Sequence, residues 1–299
     1  MNASAPYRAA RESAAWFRTD RITSLEFTGA QRREFLQGQL TCDLSRTGPG
    51  DSVRGCLVSA KGRLIAELAV YDRGELLLLL CDRDTADRVR ETLGKTVVLA
   101  ETDMRLPATP RGTLFVTGPD RERILSRFDD LTRVDVVPTP WGALPGVALH
   151  GDSAVIDALV SALDGVPRLT EDDFETLRVE NGAPRWGRDM DGEAFPLEVR
   201  LEDAVSFSKG CFLGQETLSH IKNRGRLNRR LVGLRLEGAA QAGDPVLAEG
   251  APIGKLTSVV ASPKLDATLA LAMVKDDAAV FGAELAAGGV RASLVELPL

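Results

Sequence analysis

Three strand-length runs joined by two tight turns constrain the fold of this 299-residue chain more than any other feature. The runs are rich in Leu, Val and Ala, and turns at Gly62 and Gly74 separate them, at residues 52–59, 63–72 and 75–81. Short connections of this kind join antiparallel neighbours, because a parallel pair needs a much longer crossover. The sequence therefore predicts an antiparallel meander.

Helical patterns on both sides of the meander indicate the layer that covers it. Thr28 is placed to cap a helix over residues 30–40, and Asp84 opens a helix that ends near Leu93. A further strand is expected at residues 96–101. This order predicts half of an α+β sandwich, with helices on one face of an antiparallel sheet.

A second unit with a similar order of elements begins near Arg111. Strands are expected at residues 113–117, 134–137 and 147–150, and helices at 121–128 and 153–163. A further helix over 169–182 begins at a near capping box, Thr170 with Asp173, and Asn181-Gly182 ends it.

From about residue 226 the pattern changes to short β runs separated by glycine and proline. The runs are expected at residues 231–236, 245–248, 254–260, 268–274 and 291–295. Such spacing is typical of a small all-β barrel. We therefore predict an α+β protein of three units, at residues 1–110, 111–225 and 226–299.

Composition and charge exclude several classes of protein. A formal net charge of −6 argues against a protein that coats nucleic acid, whose surface should be basic. No apolar run approaches membrane-spanning length, and residues 1–20 lack the apolar core of a signal peptide. We expect a cytoplasmic protein with no membrane or nucleic-acid partner, disordered over its first dozen residues.

One local basic stretch stands against the negative net charge. It fits either a solvated segment or a binding patch, and its members are Lys222, Arg224, Arg226, Arg229 and Arg230.

The four cysteines are too widely spaced for a zinc or iron–sulfur site of the usual kind, and the chain has no Cys-x-x-Cys. Cys42, Cys56 and Cys81 lie in or near apolar runs, which favours core packing. We expect no metal centre and no disulfide scaffold.

Two segments after residue 170 carry candidate binding residues. Arg178 and Glu180 flank the apolar stripe of their helix, and a carboxylate there can pair with a flat, doubly donating group such as a pterin ring. An ion pair with a nearby arginine is the alternative. Trp186 lies beside Gly187 and fits either a ring-stacking surface or simple packing.

Cys211 is the candidate functional thiol. It lies between Gly210 and the helical residues 215–221, two positions after Lys209, and both features favour a reactive thiolate. A small buried side chain is the alternative. His220 could complete a Cys–His nucleophilic pair, as in a thiol hydrolase.

These segments together resemble the YgfZ family and its superfamily, the tetrahydrofolate-dependent aminomethyltransferases. The resemblance covers nearly the whole chain and rests on FLQGQLT at 35–41, KGR at 61–63, LRVENG at 177–182, PLE at 196–198 and KGCFLGQE at 209–216. The last motif is the family signature, formed by Lys209, Gly210, Cys211, Gly214, Gln215 and Glu216 with Phe212 and Leu213.

The resemblance implies three domains in a ring, two α+β units and a small β-barrel, with folate in a central channel. Glu180 matches the glutamate that binds the pterin, Arg178 is its neighbour, and Cys211 matches the cysteine on which YgfZ-type function depends. Such proteins are described as supporting iron–sulfur cluster assembly or repair and iron–sulfur-dependent tRNA modification. Iron–sulfur client or assembly proteins are then the expected partners, in addition to tetrahydrofolate or a derivative.

One departure from the superfamily bears on catalysis. Aminomethyltransferases carry paired aspartates in the strand after a turn, whereas Ala66 and Glu67 stand at the corresponding positions here. This argues against aminomethyl transfer and favours a folate-binding accessory protein with a functional thiol at Cys211. A tetrahydrofolate-dependent one-carbon transferase is the alternative. The basic stretch fits a folate polyglutamate tail or a partner, and no feature indicates an oligomeric state.

Overall fold

The computed structural model describes residues 2–138, 145–278 and 280–299. The helices in these ranges are α1 (Ala5–Glu12), α2 (Arg32–Gln39), α3 (Arg83–Val97), α4 (Arg121–Leu125), α5 (Ser153–Ser161), α6 (Glu171–Glu180) and α7 (Gln215–Arg224). The strands are β1 (Ala15–Thr19), β2 (Ile22–Thr28), β3 (Ser52–Val58), β4 (Leu64–Asp72), β5 (Leu77–Asp82), β6 (Asp103–Arg105), β7 (Arg111–Thr117), β8 (Val134–Pro138), β9 (Gly146–Asp152), β10 (Arg229–Leu236), β11 (Pro245–Ala248), β12 (Ala251–Ser262), β13 (Ala267–Lys275), β14 (Leu285–Ala287) and β15 (Val290–Val295). Short 3₁₀ helices at Pro196–Val199 and Glu202–Ala204 lie between α6 and α7. Over the described ranges no helix is long and apolar enough to cross a membrane.

The first sheet has the strand order β3-β4-β5-β2-β6, and its neighbouring strands are antiparallel. The predicted meander is confirmed as β3, β4 and β5. Successive residues of a strand point to opposite faces. Ala66, Leu68 and Val70 of β4 therefore enter the core beneath α2 and α3, whereas Glu67 and Tyr71 face the second sheet.

The second sheet has the antiparallel order β1-β7-β9-β8. Helices α4 and α5 cover its outer face, and Phe17 and Phe115 on its inner face pack against Leu78 and Leu80 of the first sheet. Strand β1 pairs with β7 although it precedes all strands of the first sheet. The unit boundary at residue 110 remains a prediction. Strand β1 lies before this boundary in the sequence but belongs to the sheet formed by strands after it.

The last third of the chain forms a closed barrel in the order β10-β13-β12-β11-β14-β15. Its interior is aliphatic, and includes Val232, Leu234, Val246, Leu256 and Ala270. On the outside of the barrel, Leu231, Leu269 and Leu271 contact Val179 of α6. The predicted α+β class with a C-terminal β-barrel is confirmed.

Three local predictions are wrong. Residues 96–101 are not a strand, because α3 continues to Val97 and β6 follows it. Thr28 ends β2, and α2 begins at Arg32 without a side-chain cap. Residues 5–12, expected to be disordered, form α1, where the Ser4 hydroxyl accepts a hydrogen bond from the backbone N–H of Tyr7.

Helix α1 is held in place by the last residue of α6. The Tyr7 hydroxyl lies 2.9 and 2.7 Å from the two carboxylate oxygens of Glu180. Arg11 forms an ion pair with the same carboxylate, and Ser262 of β12 donates to it at 2.6 Å. Glu180 is fully buried. The burial of Tyr7 and its hydrogen bond to Glu180 raise the pKa of Tyr7 to about 12.

His150 forms a polar link between the two sheets. Its Nδ1 lies 3.0 Å from the Thr113 hydroxyl on β7, and its Nε2 lies 3.1 Å from the Ser24 hydroxyl on β2. Burial, with further contributions from Arg111 and Arg83, lowers the pKa of His150 to about 3. The native state therefore holds this imidazole neutral.

We expect His150 to make the protein less stable as the pH falls. Its pKa is about 3 in the folded state and about 6.5 in an unfolded chain, so stability is complete above pH 6.5 and declines toward pH 3. The slope is about 1.4 kcal/mol per pH unit. Urea unfolding between pH 7 and about 5 should show a smaller slope for His150→Gln. His220→Gln is the control, since that ring is 70% exposed; an equal slope in His150→Gln and the wild type would count against this explanation.

A second prediction concerns the buried carboxylate of Glu180. Glu180→Gln keeps the side-chain shape but removes the charge opposite Arg11, so the free energy of unfolding should fall by about 1–3 kcal/mol. Glu171→Gln is the control on the same helix, because that side chain is 53% exposed, and its effect should stay within about 0.5 kcal/mol. Unchanged stability of Glu180→Gln in urea would refute the role of this carboxylate in docking α1.

Candidate functional site

A cavity of about 120 Å³ lies where the two sheets, α6 and the loop after α6 meet. Its walls are largely aromatic and aliphatic: Phe17, Ile22, Phe115, Ala148, Phe174, Trp186 and Met190. Ionisable side chains also line it: Arg21, Glu67, Asp82, Glu171, Glu175, Arg178 and Arg185. An apolar cavity with a few convergent polar groups is the usual form of a small-molecule site.

Glu67 is the carboxylate that β4 directs into this cavity. Nε and Nη2 of Arg54 both lie 2.7 Å from its Oε1, and Nη1 of Arg54 lies 3.1 Å from both carboxylate oxygens of Asp203. Among the residues that the structure describes, none donates a hydrogen bond to Oε2 of Glu67. Burial raises the pKa of Glu67 against the opposing charge of Arg54. The cavity therefore holds a carboxyl group with one oxygen available to a ligand.

An ionic network fixes the opposite wall. Arg178 donates to both carboxylate oxygens of Glu175, at 3.2 and 2.9 Å, and to Asp189 at 2.7 Å. Ser258 and Thr257 of the barrel donate to the other oxygen of Asp189. All of these side chains are buried. The network connects α6, the loop after it and the barrel, so the wall is set before any ligand binds.

The three predicted binding residues are not equivalent in the structure. Arg178 and Trp186 line the cavity, but the guanidinium of Arg178 is taken up by the ionic network. Glu180 does not line it, and its carboxylate is occupied by Tyr7 and Arg11. For Glu180 the structure shows the ion pair that the sequence left as the alternative.

Lys209 of the signature motif faces inward. Its Nζ donates to the carbonyl oxygens of Gln37, Leu40 and Cys42, at 2.5, 2.8 and 2.6 Å. Three donors thus satisfy carbonyl groups at and beyond the C-terminal end of α2, where a helix leaves such groups unpaired. The ammonium donates to these carbonyl groups, and an activating effect on Cys211 remains a prediction.

The rest of the motif shapes a surface turn. Gly214 has a φ of +82°, and a Cβ there would lie 2.6 Å from the backbone oxygen of Ser59, so only glycine fits. Gly210 is exposed, and Gln215 and Glu216 begin α7. Glu216 has the sign that a helix N-terminus favours.

Cys211 is exposed on this turn, and Cys42, Cys56 and Cys81 are buried as predicted. The His220 ring lies 3.9 Å from Glu216 at the surface of α7. No contact between Cys211 and His220 occurs among the described residues, so the structure offers the thiol-hydrolase alternative no assembled pair.

The basic stretch is partly used in contacts. Arg229 pairs with Glu198, Arg230 pairs with Asp276, and Lys222 lies 4.0 Å from the centre of the Phe207 ring. Its two alternatives, a solvated segment and a binding patch, both remain predictions.

Four acids line the cavity, and none of them was predicted as a site residue: Glu67, Asp82, Glu171 and Glu175. Glu67 was treated only as a departure from the superfamily, although the alternation of Ala66 and Leu68 around it indicates the opposite face of β4. Asp82 precedes α3 and was not singled out. Its position in the cavity depends on the pairing of β5 with its neighbours, which no local pattern reveals.

Known proteins resemble the whole chain. An aminomethyltransferase of Herpetosiphon aurantiacus is 28% identical, and the match covers 98% of this chain and 89% of that protein. An aminomethyltransferase of Synechococcus sp. is 31% identical over 94% of this chain and 84% of its own length. Residues 229–299 match the family described as the glycine cleavage T-protein C-terminal barrel domain.

A solved structure shares the architecture. The crystal structure of glycine cleavage system aminomethyltransferase T from Bartonella henselae superposes with a TM-score of 0.88 at 21% identity, covering 98% of this chain and 88% of that one. This structural similarity shows that the two proteins share a fold. The sequence identity to the Synechococcus protein over most of both chains shows that the chain belongs to the same family. The chain belongs to the aminomethyltransferase family of the glycine cleavage T-protein superfamily.

Proposed function

We propose that the cavity binds tetrahydrofolate or a derivative and that the protein acts on a one-carbon group carried by it. The observation that carries this proposal is Glu67, which lines an aromatic-walled cavity and whose Oε2 accepts no hydrogen bond from the described residues. Relatives named as aminomethyltransferases, and the tetrahydrofolate dependence that the resemblance implies, support the choice of ligand.

The shape and polarity of the cavity suit a pterin ring. A pterin is flat and presents N–H groups at its edge, so it requires aromatic surfaces and a hydrogen-bond acceptor in the same plane. Phe17, Phe174 and Trp186 offer the surfaces, and Glu67 offers the acceptor. We propose that Arg178 shapes the wall beside the ring, and that Glu180 acts indirectly by positioning α6.

The position of Glu67 favours catalysis of one-carbon transfer over binding of tetrahydrofolate without a reaction. It stands at one of the two positions where the resemblance implies paired aspartates, and it points into the cavity. Tetrahydrofolate supplies the nitrogen atoms that carry one-carbon groups. Burial raises the pKa of Glu67, and a carboxyl group with a raised pKa is better suited than an ordinary one to exchange a proton with such a nitrogen. The absence of the paired aspartates therefore weighs less against one-carbon transfer than the sequence indicated.

Titration with tetrahydrofolate tests the proposal. We expect the wild type to bind with a change in tryptophan fluorescence, and Glu67→Gln to bind about ten- to one-hundred-fold more weakly, since one charge-assisted hydrogen bond contributes about 1.5–3 kcal/mol. Trp186→Phe should lose most of the signal, while Trp16→Phe, outside the cavity lining, should keep it. Glu180→Gln, which keeps the side-chain shape, should weaken binding less than Glu67→Gln does, because Glu180 acts only through the position of α6.

The two possible failures point to different errors. A wild type that does not bind tetrahydrofolate sinks the proposal. Wild-type affinity in Glu67→Gln with a large loss in Glu180→Gln would instead restore Glu180 as the pterin ligand. For transfer itself, formation of methylene-tetrahydrofolate from an aminomethyl donor is the readout.

A second candidate is the finer YgfZ-type function, support of iron–sulfur cluster assembly or repair and of iron–sulfur-dependent tRNA modification. Cys211 favours it, because this is the exposed one of the four cysteines and it lies outside the cavity lining. A thiol at that position can meet an iron–sulfur client or assembly protein. Tetrahydrofolate binding is common to both candidates.

We expect Cys211→Ser to separate the two candidates. Tetrahydrofolate affinity should be unchanged, whereas the activity of an iron–sulfur enzyme in a strain lacking this protein should no longer be restored. Ser208→Ala is the control, since this exposed hydroxyl lies on the same turn. Full restoration by Cys211→Ser would exclude a role for the thiol in the accessory function.

A further inference from the structure

Two carboxylates from neighbouring strands face the same end of the cavity. Glu67 lies on β4 and Asp82 ends β5, and both line the cavity. The pairing of Leu68 with Cys81, continued by one residue, places Glu67 opposite Asp82. Opposed side chains on one face of an antiparallel pair have Cβ atoms about 4.5–5.5 Å apart. The two acids are therefore neighbours across the strands.

Each acid is held by its own arginine. Arg54 binds Oε1 of Glu67, and Arg21 lies 2.7 Å from Oδ2 of Asp82. Oδ1 of Asp82 accepts the backbone N–H of Asp84 at 2.9 Å, as the cap of α3. These contacts fix both side chains, and they leave Oε2 of Glu67 without a hydrogen-bond donor among the described residues.

The charges around Glu67 include both an arginine that lowers its pKa and carboxylates that raise it. Arg54 on β3 opposes the effect of burial, and Asp203 and Asp82 reinforce it, so the pKa of Glu67 is raised. The other ionisable groups that line the cavity are Arg21, Glu171, Glu175, Arg178 and Arg185, and each forms an ion pair. Two carboxylates placed side by side in a buried site repel each other, which favours the retention of a proton on Glu67.

We propose that Glu67 and Asp82 form an acid pair that takes a ligand nitrogen between them, with Glu67 exchanging the proton. When Glu67 gives its proton to that nitrogen, the carboxyl O–H bond breaks as the N–H bond forms. The two carboxylates then face the resulting cation, which stabilises both. The choice of ligand rests on the proposed function, whereas the proton retained on Glu67 is a property of the protein alone.

Infrared titration of the ligand-free protein tests the pair. We expect a protonated-carboxyl band that persists to a higher pH than the band of an exposed glutamic acid and is absent in Glu67→Gln. Asp82→Asn removes the neighbouring charge but keeps a capping side chain, so the band should titrate at least about one pH unit lower. Asp82→Ser is a second variant that also keeps a cap, in case the first does not fold.

Asp152→Asn is the matched control. Asp152 also ends a strand and precedes a helix, and it pairs with Arg111 at 2.8 Å, but it does not line the cavity. Its substitution should leave the band unchanged. A band that survives Glu67→Gln, or an equal midpoint in Asp82→Asn and the wild type, would overturn the pair.

The same variants separate this inference from the proposed function. The pH dependence of tetrahydrofolate affinity should follow the infrared midpoint and shift with Asp82→Asn. If the wild type does not bind tetrahydrofolate, the proposed ligand is wrong, and the infrared result still decides whether Asp82 favours the retention of a proton on Glu67. If it binds with a pH dependence that Asp82→Asn does not move, the acid pair is wrong and the folate site stands.

Discussion

The buried carboxylate of Glu180 holds three parts of the chain together. An ionised group can be buried only when its charge is paired and its oxygens are hydrogen-bonded. Here Tyr7 and Arg11 come from α1, and Ser262 comes from the barrel. Because no single element supplies all the partners, α1, α6 and the barrel are stable in this position only together. The location of α6 in turn decides which side chains form the cavity wall.

The part of α6 that precedes Glu180 is also held by buried charges that pair with residues of other elements. Arg178 lies between Glu175 and Asp189, and the barrel reaches Asp189 through Thr257 and Ser258. The pairing of β12 with β13 shifts register between Leu256 and Ser258, and such an irregularity re-aims the side chains next to it. The barrel thus acts as a support for the cavity wall, without lining the cavity itself.

Local patterns predicted the elements better than their contacts. Tight turns and alternation were sufficient for the β3–β5 meander, and Thr170 with Asp173 forms the expected capping box. Helix α1 was missed because its stability comes from Glu180, which is 173 positions away from Tyr7. Contacts at such a separation leave no periodic signal in the sequence.

Candidate site residues were predicted unevenly for the same reason. Lys209 and Cys211 are close in sequence, and this suggested an activated thiol. Their side chains nevertheless have different surroundings, because Lys209 ends at the carbonyl oxygens of Leu40 and Cys42 while Cys211 is exposed. Proximity in sequence indicates a shared turn, but it does not indicate a shared environment.

The geometry of a strand explains how the cavity can have two acids on its wall although the sequence does not have two consecutive acids. Consecutive residues of β4 point to opposite faces, and Ala66 is fully buried in the core beneath α2 and α3. An aspartate at position 66 would place a charge in that apolar core unless the strand were bent. With alanine there, β4 keeps its regular pairing with β5 up to Leu68 and Cys81, and the next position in the same register places Asp82 opposite Glu67. Alanine at position 66 removes one of the two acids expected on β4. The chain nevertheless keeps two carboxylates on the cavity wall, Glu67 on β4 and Asp82 on β5.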